Sequence, residues 1–139
     1  MKKILSFIIC CVTIMGAMHT TVSAQEYGIT PYYNNTSRTT TNFTIDDSGK
    51  ATVYVSYTGY QGITSGATIT TRIQKRFLFL FWNDIQEWTD EATGDSYATS
   101  HSVSVSSGTY RVQVEYEIRG TAGEADNINE ELERTYWTN

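Results

Sequence analysis

Apolar and polar residues alternate along most of the chain from residue 36 onward, and this period of two predicts β-strands that bury one face. The clearest run extends from Tyr110 to Ile118, with an apolar residue at every second position. Similar alternation covers four further runs, which are residues 39–45, 51–57, 69–74 and 97–105.

Two segments allow more than one interpretation. Residues 77–88 are predicted as another strand or a bent strand pair, although the spacing of Ile85 and Trp88 also fits one helical turn. Residues 128–137 are predicted as a terminal strand, although two apolar residues four positions apart within them also fit a helix.

Turn-forming residues separate these runs. Asp46-Asp47-Ser48-Gly49 follows the first run, a glycine-rich stretch covers residues 59–66, and residues 91–96 are polar. About seven strands at regular spacing, rich in Thr, Val and Tyr, favour an all-β fold. We therefore predict a two-sheet, immunoglobulin-like sandwich of about seven antiparallel strands.

Tyr110 begins the clearest strand, directly after a glycine-containing turn. Immunoglobulin-type sandwiches place a tyrosine in this context, two residues before a cysteine, and its hydroxyl binds backbone a few residues upstream. Val112 stands at the position of that cysteine. The pattern predicts a structural tyrosine corner at Tyr110. The simpler alternative is that Tyr110 is only the first inward residue of its strand.

Residues 1–24 follow a different pattern, which is typical of a cleavable signal peptide. Lys2 and Lys3 precede an apolar run, and Val22-Ser23-Ala24 offers small residues before a cleavage point at Gln25. The alternative, an uncleaved anchor, is disfavoured because the run is shorter than the roughly 20 residues that span a bilayer as a helix. We expect a secreted, extracellular protein.

Cleavage would change the composition of the chain. Cys10 and Cys11 leave with the signal peptide, so the mature chain has no cysteine. The 10 basic residues fall to 8 against 15 acidic residues, which gives a charge of −7. That negative charge disfavours nucleic acid and anionic lipid surfaces as partners. The mature chain has no second apolar run long enough to predict a transmembrane segment. We expect residues 25–35 to form a flexible lead-in and residues 36–139 to form the β-sandwich domain.

Four short motifs carry a family resemblance. They are Asp47-Ser48-Gly49-Lys50-Ala51-Thr52, Gly59-Tyr60 with residues 69–75, Trp82 with Ile85 and Trp88, and Gly108-Thr109-Tyr110-Arg111-Val112. In this order and spacing, across residues 43–118, the chain resembles a family of small secreted proteins of unknown function from Gram-positive gut anaerobes. It departs from that family at residues 77–81, where a polar turn is expected. The resemblance implies export and one small β-sandwich domain, and it brings no known activity, ligand or functional residue.

Catalytic chemistry has few candidates in the mature chain. His101 is its one histidine and lies inside an alternating strand, whereas general-base chemistry needs a positioned serine or carboxylate beside it. Asp84, Glu87, Asp90 and Glu91 are interpreted as solvated acids rather than as a hydrolytic carboxylate pair. We predict that the protein is not an enzyme and holds no cofactor.

Acidic loops raise the question of a metal site. Asp46 and Asp47, and the acids within residues 90–95, offer oxygen ligands of the kind that calcium prefers. Turn formation and loop solvation account for them, and their spacing matches no calcium loop. We predict no metal site.

Aromatic residues are the remaining candidates for binding, because exposed rings stack on sugars or anchor a protein partner. Residues 77–81 are apolar on both faces. They form either a central strand or bend wrapped in the core, or an exposed edge that permits self-association through residues 77–82. The candidate interaction surface consists of Tyr54, Tyr60, Phe77, Phe79, Phe81, Trp82 and Trp88.

These observations predict a secreted, non-enzymatic module with a role in surface interaction or structure and with a protein or glycan partner. The alternative is a carbohydrate- or cell-wall-binding module that uses exposed Tyr and Trp side chains. A small secreted hydrolase is a third and less favoured class.

Overall fold

The computed structural model describes residues 33–137, which form seven β-strands. In chain order they are β1 (Thr36–Ile45), β2 (Lys50–Gly59), β3 (Thr64–Phe77), β4 (Phe81–Thr93), β5 (Ser96–Ser104), β6 (Gly108–Gly120) and β7 (Asp126–Tyr136). The described part of the chain has no helix long and apolar enough to cross a membrane. The predicted signal peptide, residues 1–24, and residues 25–32 of the predicted lead-in lie outside the described residues.

The strands form two antiparallel sheets. The smaller sheet has the order β1-β2-β5 and the larger sheet has the order β4-β3-β6-β7. The prediction of an all-β, two-sheet sandwich with seven antiparallel strands is therefore confirmed. β3 and β6 occupy the centre of the larger sheet, and β4 is one of its edges.

The core lies between the sheets and consists of the alternating apolar residues that the sequence indicates. Each fully buried Val, Ile or aromatic side chain contributes roughly 1.5–3 kcal/mol through the water-exposed area that it removes. The core residues with at most 1% exposure are Phe43, Ala51, Val53, Val55, Tyr57, Ala67, Ile69, Ile73, Tyr110, Val112, Val114, Tyr116 and Ile118.

Tyr116 on β6 links the two sheets through its hydroxyl. The hydroxyl lies 2.7 Å from the Thr41 hydroxyl and donates a hydrogen bond to the Thr40 carbonyl of β1 at 3.2 Å. Burial raises the pKa of Tyr116 to about 12, so the phenol is neutral near pH 7. A large ring in the core thereby keeps its one polar atom hydrogen-bonded, as a buried hydroxyl requires.

A β-bulge in β4 decides which way its two tryptophans point. Ile73 pairs with Gln86 and the next residue of β3, Gln74, pairs with Asp84, so Ile85 is the extra residue. Because side chains alternate along a strand, one extra residue reverses the faces beyond it. Trp88 packs against the core, whereas Trp82 faces the arginines on the outer surface of the larger sheet.

The ambiguous segments are all strand or tight turn. Residues 77–88 comprise the end of β3, a turn and most of β4, so the helical turn at Ile85 and Trp88 is wrong. The predicted polar loop at residues 91–96 shrinks to a turn at Gly94 and Asp95. The terminal strand is confirmed as β7, which pairs with β6 along its whole length.

The Tyr110 hydroxyl donates a hydrogen bond to the Ser106 carbonyl at 2.6 Å. Its ring is buried at the start of β6, and Ser106 lies in the connection from β5. This is the hydrogen bond that a tyrosine corner requires, and it ties that connection to the strand that it enters.

Replacing Tyr110 with Phe removes only this hydroxyl, so we expect the free energy of unfolding to fall by about 1–2 kcal/mol. The partly buried hydrogen bond to Ser106 is lost while the ring keeps its packing. Urea denaturation of wild type and variant measures the change. An unchanged denaturation midpoint would show that the bond contributes nothing to stability.

The first described residues are fixed to the start of β7 by buried polar contacts. The backbone N–H groups of Asn34 and Asn35 donate to the Asp126 carboxylate at 3.0 and 2.7 Å, and the Thr36 hydroxyl donates to it at 2.8 Å. The Asn35 side chain donates to the Glu124 carbonyl at 2.9 Å. Asn34 and Asn35, expected in the flexible lead-in, are therefore a fixed part of the domain, because their polar groups find partners 89 to 92 residues away.

Candidate binding surface

Residues 77–81 form an exposed apolar hairpin end, called here the hairpin tip. Phe77 and Phe81 pair in the register of β3 and β4, and residues 78–80 form the turn between them. All five side chains are exposed, and the fractions reach 91% at Phe79 and 81% at Leu80. Soluble proteins rarely present a continuous apolar patch of this kind unless it binds something.

The turn of the hairpin tip is strained. Leu78 and Phe79 have φ angles of 47° and 63°, and the Leu80 N–H donates to the Phe77 carbonyl at 3.3 Å. Positive φ at both central residues is the mark of a type I′ turn, which favours Asn-Gly. A residue with a side chain costs roughly 1–2 kcal/mol in this region. Strain at an exposed position is a recognised feature of ligand-binding sites.

Trp82, Arg76 and Arg111 lie directly behind the hairpin tip and are called here the collar. Trp82 pairs with Arg76 across the hairpin. The guanidinium carbons of Arg76 and Arg111 lie 4.7 and 4.4 Å from the centroid of the Trp82 ring, within the range of cation–π attraction. The half-buried indole is thus held by two cationic side chains on the outer face of the larger sheet.

Each collar arginine also has an acidic partner on β7. Arg76 lies 2.6 Å from Glu133, and Arg111 lies 3.3 Å from Glu131. Arg111 donates in addition to the Gln74 side-chain oxygen at 2.6 Å. The collar therefore carries balanced charge, and its side chains are positioned by neighbouring strands rather than free to rotate.

The other aromatic candidates lie apart from the hairpin tip. Tyr54 is on the outer face of the smaller sheet, Tyr60 is in the β2–β3 loop at the opposite end of the sandwich, and Trp88 lies between the sheets. The structure brings together four of the seven candidate residues, which are Phe77, Phe79, Phe81 and Trp82.

The sequence analysis predicted self-association through residues 77–82 as one alternative, but its candidate side chains did not include Leu78, Leu80 or the arginines of the collar. The sequence does contain a signal for Leu78 and Leu80, because they belong to an unbroken apolar run that lacks the alternation of a half-buried strand. Arg111 is 29 positions from Trp82 in the chain and joins it only through the pairing of β3 with β6. No local pattern encodes that approach.

A second cluster joins the sheet edges at β4 and β5. The His101 Nε2 atom lies 2.7 Å from a carboxylate oxygen of Asp90, and the imidazole stacks on the Trp88 ring with a centroid distance of 4.8 Å and an interplanar angle of 9°. Both members of the pair are largely buried. Asp90, expected to be a solvated acid, is thus an inward residue, because β4 continues to Thr93 and places it on the face of Trp88.

This cluster joins a histidine to a carboxylate, as a hydrolytic triad does, but is built as a packing element. Trp88 covers the imidazole, and Asp90 occupies its Nε2 atom. In the Ser-His-Asp triad of serine proteases the carboxylate binds Nδ1 and the nucleophile binds Nε2, so Asp90 lies here on the nitrogen that the nucleophile would use. The geometry is therefore that of a histidine that links two sheet edges.

Residues 33–137 offer little support for a metal site or an apolar ligand pocket. No group of three or more His, Cys, Asp or Glu side chains in this range is arranged to hold a metal ion. The outer face of the larger sheet has a shallow groove of about 320 Å³, lined by Thr68, Thr70, Glu115, Tyr116, Glu117, Asn127 and Asn129. The lining is mainly polar, in contrast to the hairpin tip.

Comparison with protein-family models, with curated proteins and with solved structures found no match for this chain.

Proposed function

We propose that the chain is a secreted, non-enzymatic β-sandwich module that binds a surface or partner through its hairpin tip. The observation that carries the proposal is the tip itself: five exposed apolar side chains on a strained turn. Exposure of the five apolar side chains to water costs free energy that is recovered when a partner covers them. The positive φ angles of the turn add a second cost, of the kind that accumulates at binding sites.

Export is the part of the proposal that rests on residues 1–24, with their two lysines, apolar run and small residues before Gln25. The absence of cysteine after that point requires the fold to be stable through its core and polar contacts alone. Membership of the family of small secreted proteins from Gram-positive gut anaerobes belongs to the same proposal.

An immunoglobulin-like assignment is supported by two features. The Tyr110 hydroxyl binds the backbone four residues upstream, at the entry to the sixth strand. The strand order, with three strands facing four, is one of the arrangements that such sandwiches use. Immunoglobulin-like domains commonly bind through the loops at one end, and the hairpin tip is such an end.

The glycan-binding alternative needs aromatic rings that form one stacking platform. Tyr54, Tyr60 and Trp82 lie on three separate surfaces. The hairpin tip is aliphatic as well as aromatic and has few polar groups to receive sugar hydroxyls. The arrangement therefore favours an apolar partner.

The test compares three proteins exported from a secreting host: wild type, Phe79→Ser/Leu80→Ser, and the control Tyr60→Ser, which removes an exposed ring at the opposite end. Each is measured for retention on phosphatidylcholine vesicles, retention on a panel of cell-wall polysaccharides, and self-association by sedimentation. We expect at least one of these interactions in the wild type, its loss in the double variant and its retention in Tyr60→Ser. Equal behaviour of wild type and double variant in all three assays would refute the proposal.

Mass spectrometry of the exported wild type tests the export half separately. Signal peptidase cleavage predicts a mature chain that begins at Gln25. A product that retains residues 1–24 would contradict the cleavage and leave the hairpin tip to be judged on its own assays.

A further inference from the structure

The hairpin tip is apolar on more than one side, which restricts what can cover it. Phe77 and Phe81 are directly paired and share one face of the hairpin, whereas Leu78, Phe79 and Leu80 form the turn and are 65% to 91% exposed. Apolar side chains therefore cover one broad face of the hairpin and the end face formed by its turn. A flat protein partner would cover only one of these faces. A medium into which the hairpin end inserts would cover all of them.

The height of the hairpin tip matches the depth of a membrane interface. Phe79 lies in the turn and Trp82 is three residues further along the chain, so at most about 10 Å separates their levels. Amphipathic anchors bury their apolar parts about 5–10 Å into the boundary between headgroups and acyl chains. Insertion of residues 77–81 would therefore bring the collar to the level of the headgroups.

The collar consists of residue types that are favoured at the headgroup level of a membrane. Tryptophan is enriched at the interface of membrane proteins, where its ring is apolar and its N–H remains hydrated. Arginine buries its aliphatic stem and keeps its charged group in the polar layer. Trp82, Arg76 and Arg111 form one contiguous group directly behind the hairpin tip.

Charge identifies the kind of lipid. Arg76 and Arg111 are paired with Glu133 and Glu131, so the collar offers no excess of positive charge. The chain as a whole carries a charge of −5. Anionic lipid would be repelled by the protein's net charge and gains little from the collar, whereas a zwitterionic headgroup meets paired charges of both signs.

A second copy of the chain is the competing occupant. Insertion of the hairpin tip into another copy needs an apolar recess. Two grooves on the larger sheet have volumes of about 230 and 320 Å³ and are lined mainly by Glu, Asn, Gln and Thr side chains. They do not match five apolar side chains, so insertion of the hairpin tip of one copy into either groove of another is disfavoured.

We propose that the hairpin tip is a membrane anchor that inserts into the interfacial layer of a zwitterionic lipid surface, with the collar at the headgroups. This inference rests on the proposed function, because it names the partner of the same surface.

The test is flotation of the exported proteins with vesicles of phosphatidylcholine alone and of phosphatidylcholine with phosphatidylserine. We expect wild type and Tyr60→Ser to float with phosphatidylcholine, and Phe79→Ser/Leu80→Ser to lose roughly tenfold or more in partitioning, because two large apolar side chains no longer leave water. Phosphatidylserine should not increase binding. Any residues upstream of the domain are common to all variants, so differences among them report on the hairpin tip.

Depth is measured with lipids brominated near the headgroup, which quench tryptophan fluorescence at short range. If the brominated lipid quenches the tryptophan fluorescence of the wild type, and quenches that of Trp82→Phe less, the result supports insertion as far as the collar. Quenching that is unchanged by Trp82→Phe overturns the proposed depth.

Two results would overturn the inference as a whole. One is a wild type that does not float with phosphatidylcholine, or floats only with phosphatidylserine. The other is a double variant that floats as well as the wild type. If either result occurs while self-association or polysaccharide retention depends on Phe79 and Leu80, the membrane assignment fails and the proposed function stands.

Discussion

Replacing Asp126 with Ala is expected to lower the free energy of unfolding by about 3–5 kcal/mol, because three donors lose their acceptor at once. The carboxylate receives the N–H groups of Asn34 and Asn35 and the hydroxyl of Thr36. Asn35 and Thr36 are almost fully buried, so water cannot replace the lost bonds without opening the structure. Urea denaturation measures the loss.

Two further variants separate the hydrogen bonds from other effects. Asp126→Asn keeps the shape and one acceptor oxygen, so we expect an intermediate loss. Asn127→Ala changes the exposed neighbour, whose side chain binds only its local backbone at Ala125, and should change the free energy of unfolding by less than about 0.5 kcal/mol. A loss below about 1 kcal/mol in Asp126→Ala would show that the N-terminal segment is held by something else.

This contact illustrates what alternation along the chain does not encode. The period of two predicts which residues of β2 and β6 face the core, because inward and outward positions differ in hydropathy. It does not indicate that Asp126 will meet Asn35, which is 91 positions away. Such contacts follow from the order of strands in the two sheets rather than from local sequence.

The bulge at Ile85 shows a second limit. Trp82 and Trp88 are both even-numbered, so an uninterrupted strand would place them on one face. The extra residue sends Trp82 to the outer surface and Trp88 to the core. A bulge depends on the partner strand, and nothing in the sequence of β4 alone marks it.

The hairpin tip departs from sequence-based expectation for a different reason. Turns are normally built from Gly, Asn, Asp and Pro, so an unbroken apolar run is a poor signal for a turn. The run at residues 77–81 was consistent with either a buried strand or an exposed edge, and the structure makes it an exposed turn. Local rules are expected to fail at functional or strained sites, and this turn is strained at Leu78 and Phe79.

Replacing Leu78 with Asn and Phe79 with Gly is expected to stabilise the domain and abolish its binding through the hairpin tip. Asn-Gly is the preferred pair for a type I′ turn, because both residues adopt positive φ at low cost. Relief of strain at Leu78 and Phe79 is partly offset by the greater freedom of glycine in the unfolded chain. We expect a net gain of about 1–2 kcal/mol in the free energy of unfolding, measured by urea denaturation.

The matched variant Phe79→Ser/Leu80→Ser separates the two effects. It removes apolar surface from the same turn and leaves a side chain at positive φ on residue 79, so it should lose binding without a comparable gain in stability. If Leu78→Asn/Phe79→Gly fails to raise the urea midpoint, the turn is not strained. If it binds as the wild type does, Leu78 and Phe79 are not part of the contact. A more stable and non-binding variant would mean that the wild-type turn gives up stability for its apolar surface, the trade-off expected where a loop serves a partner rather than the fold.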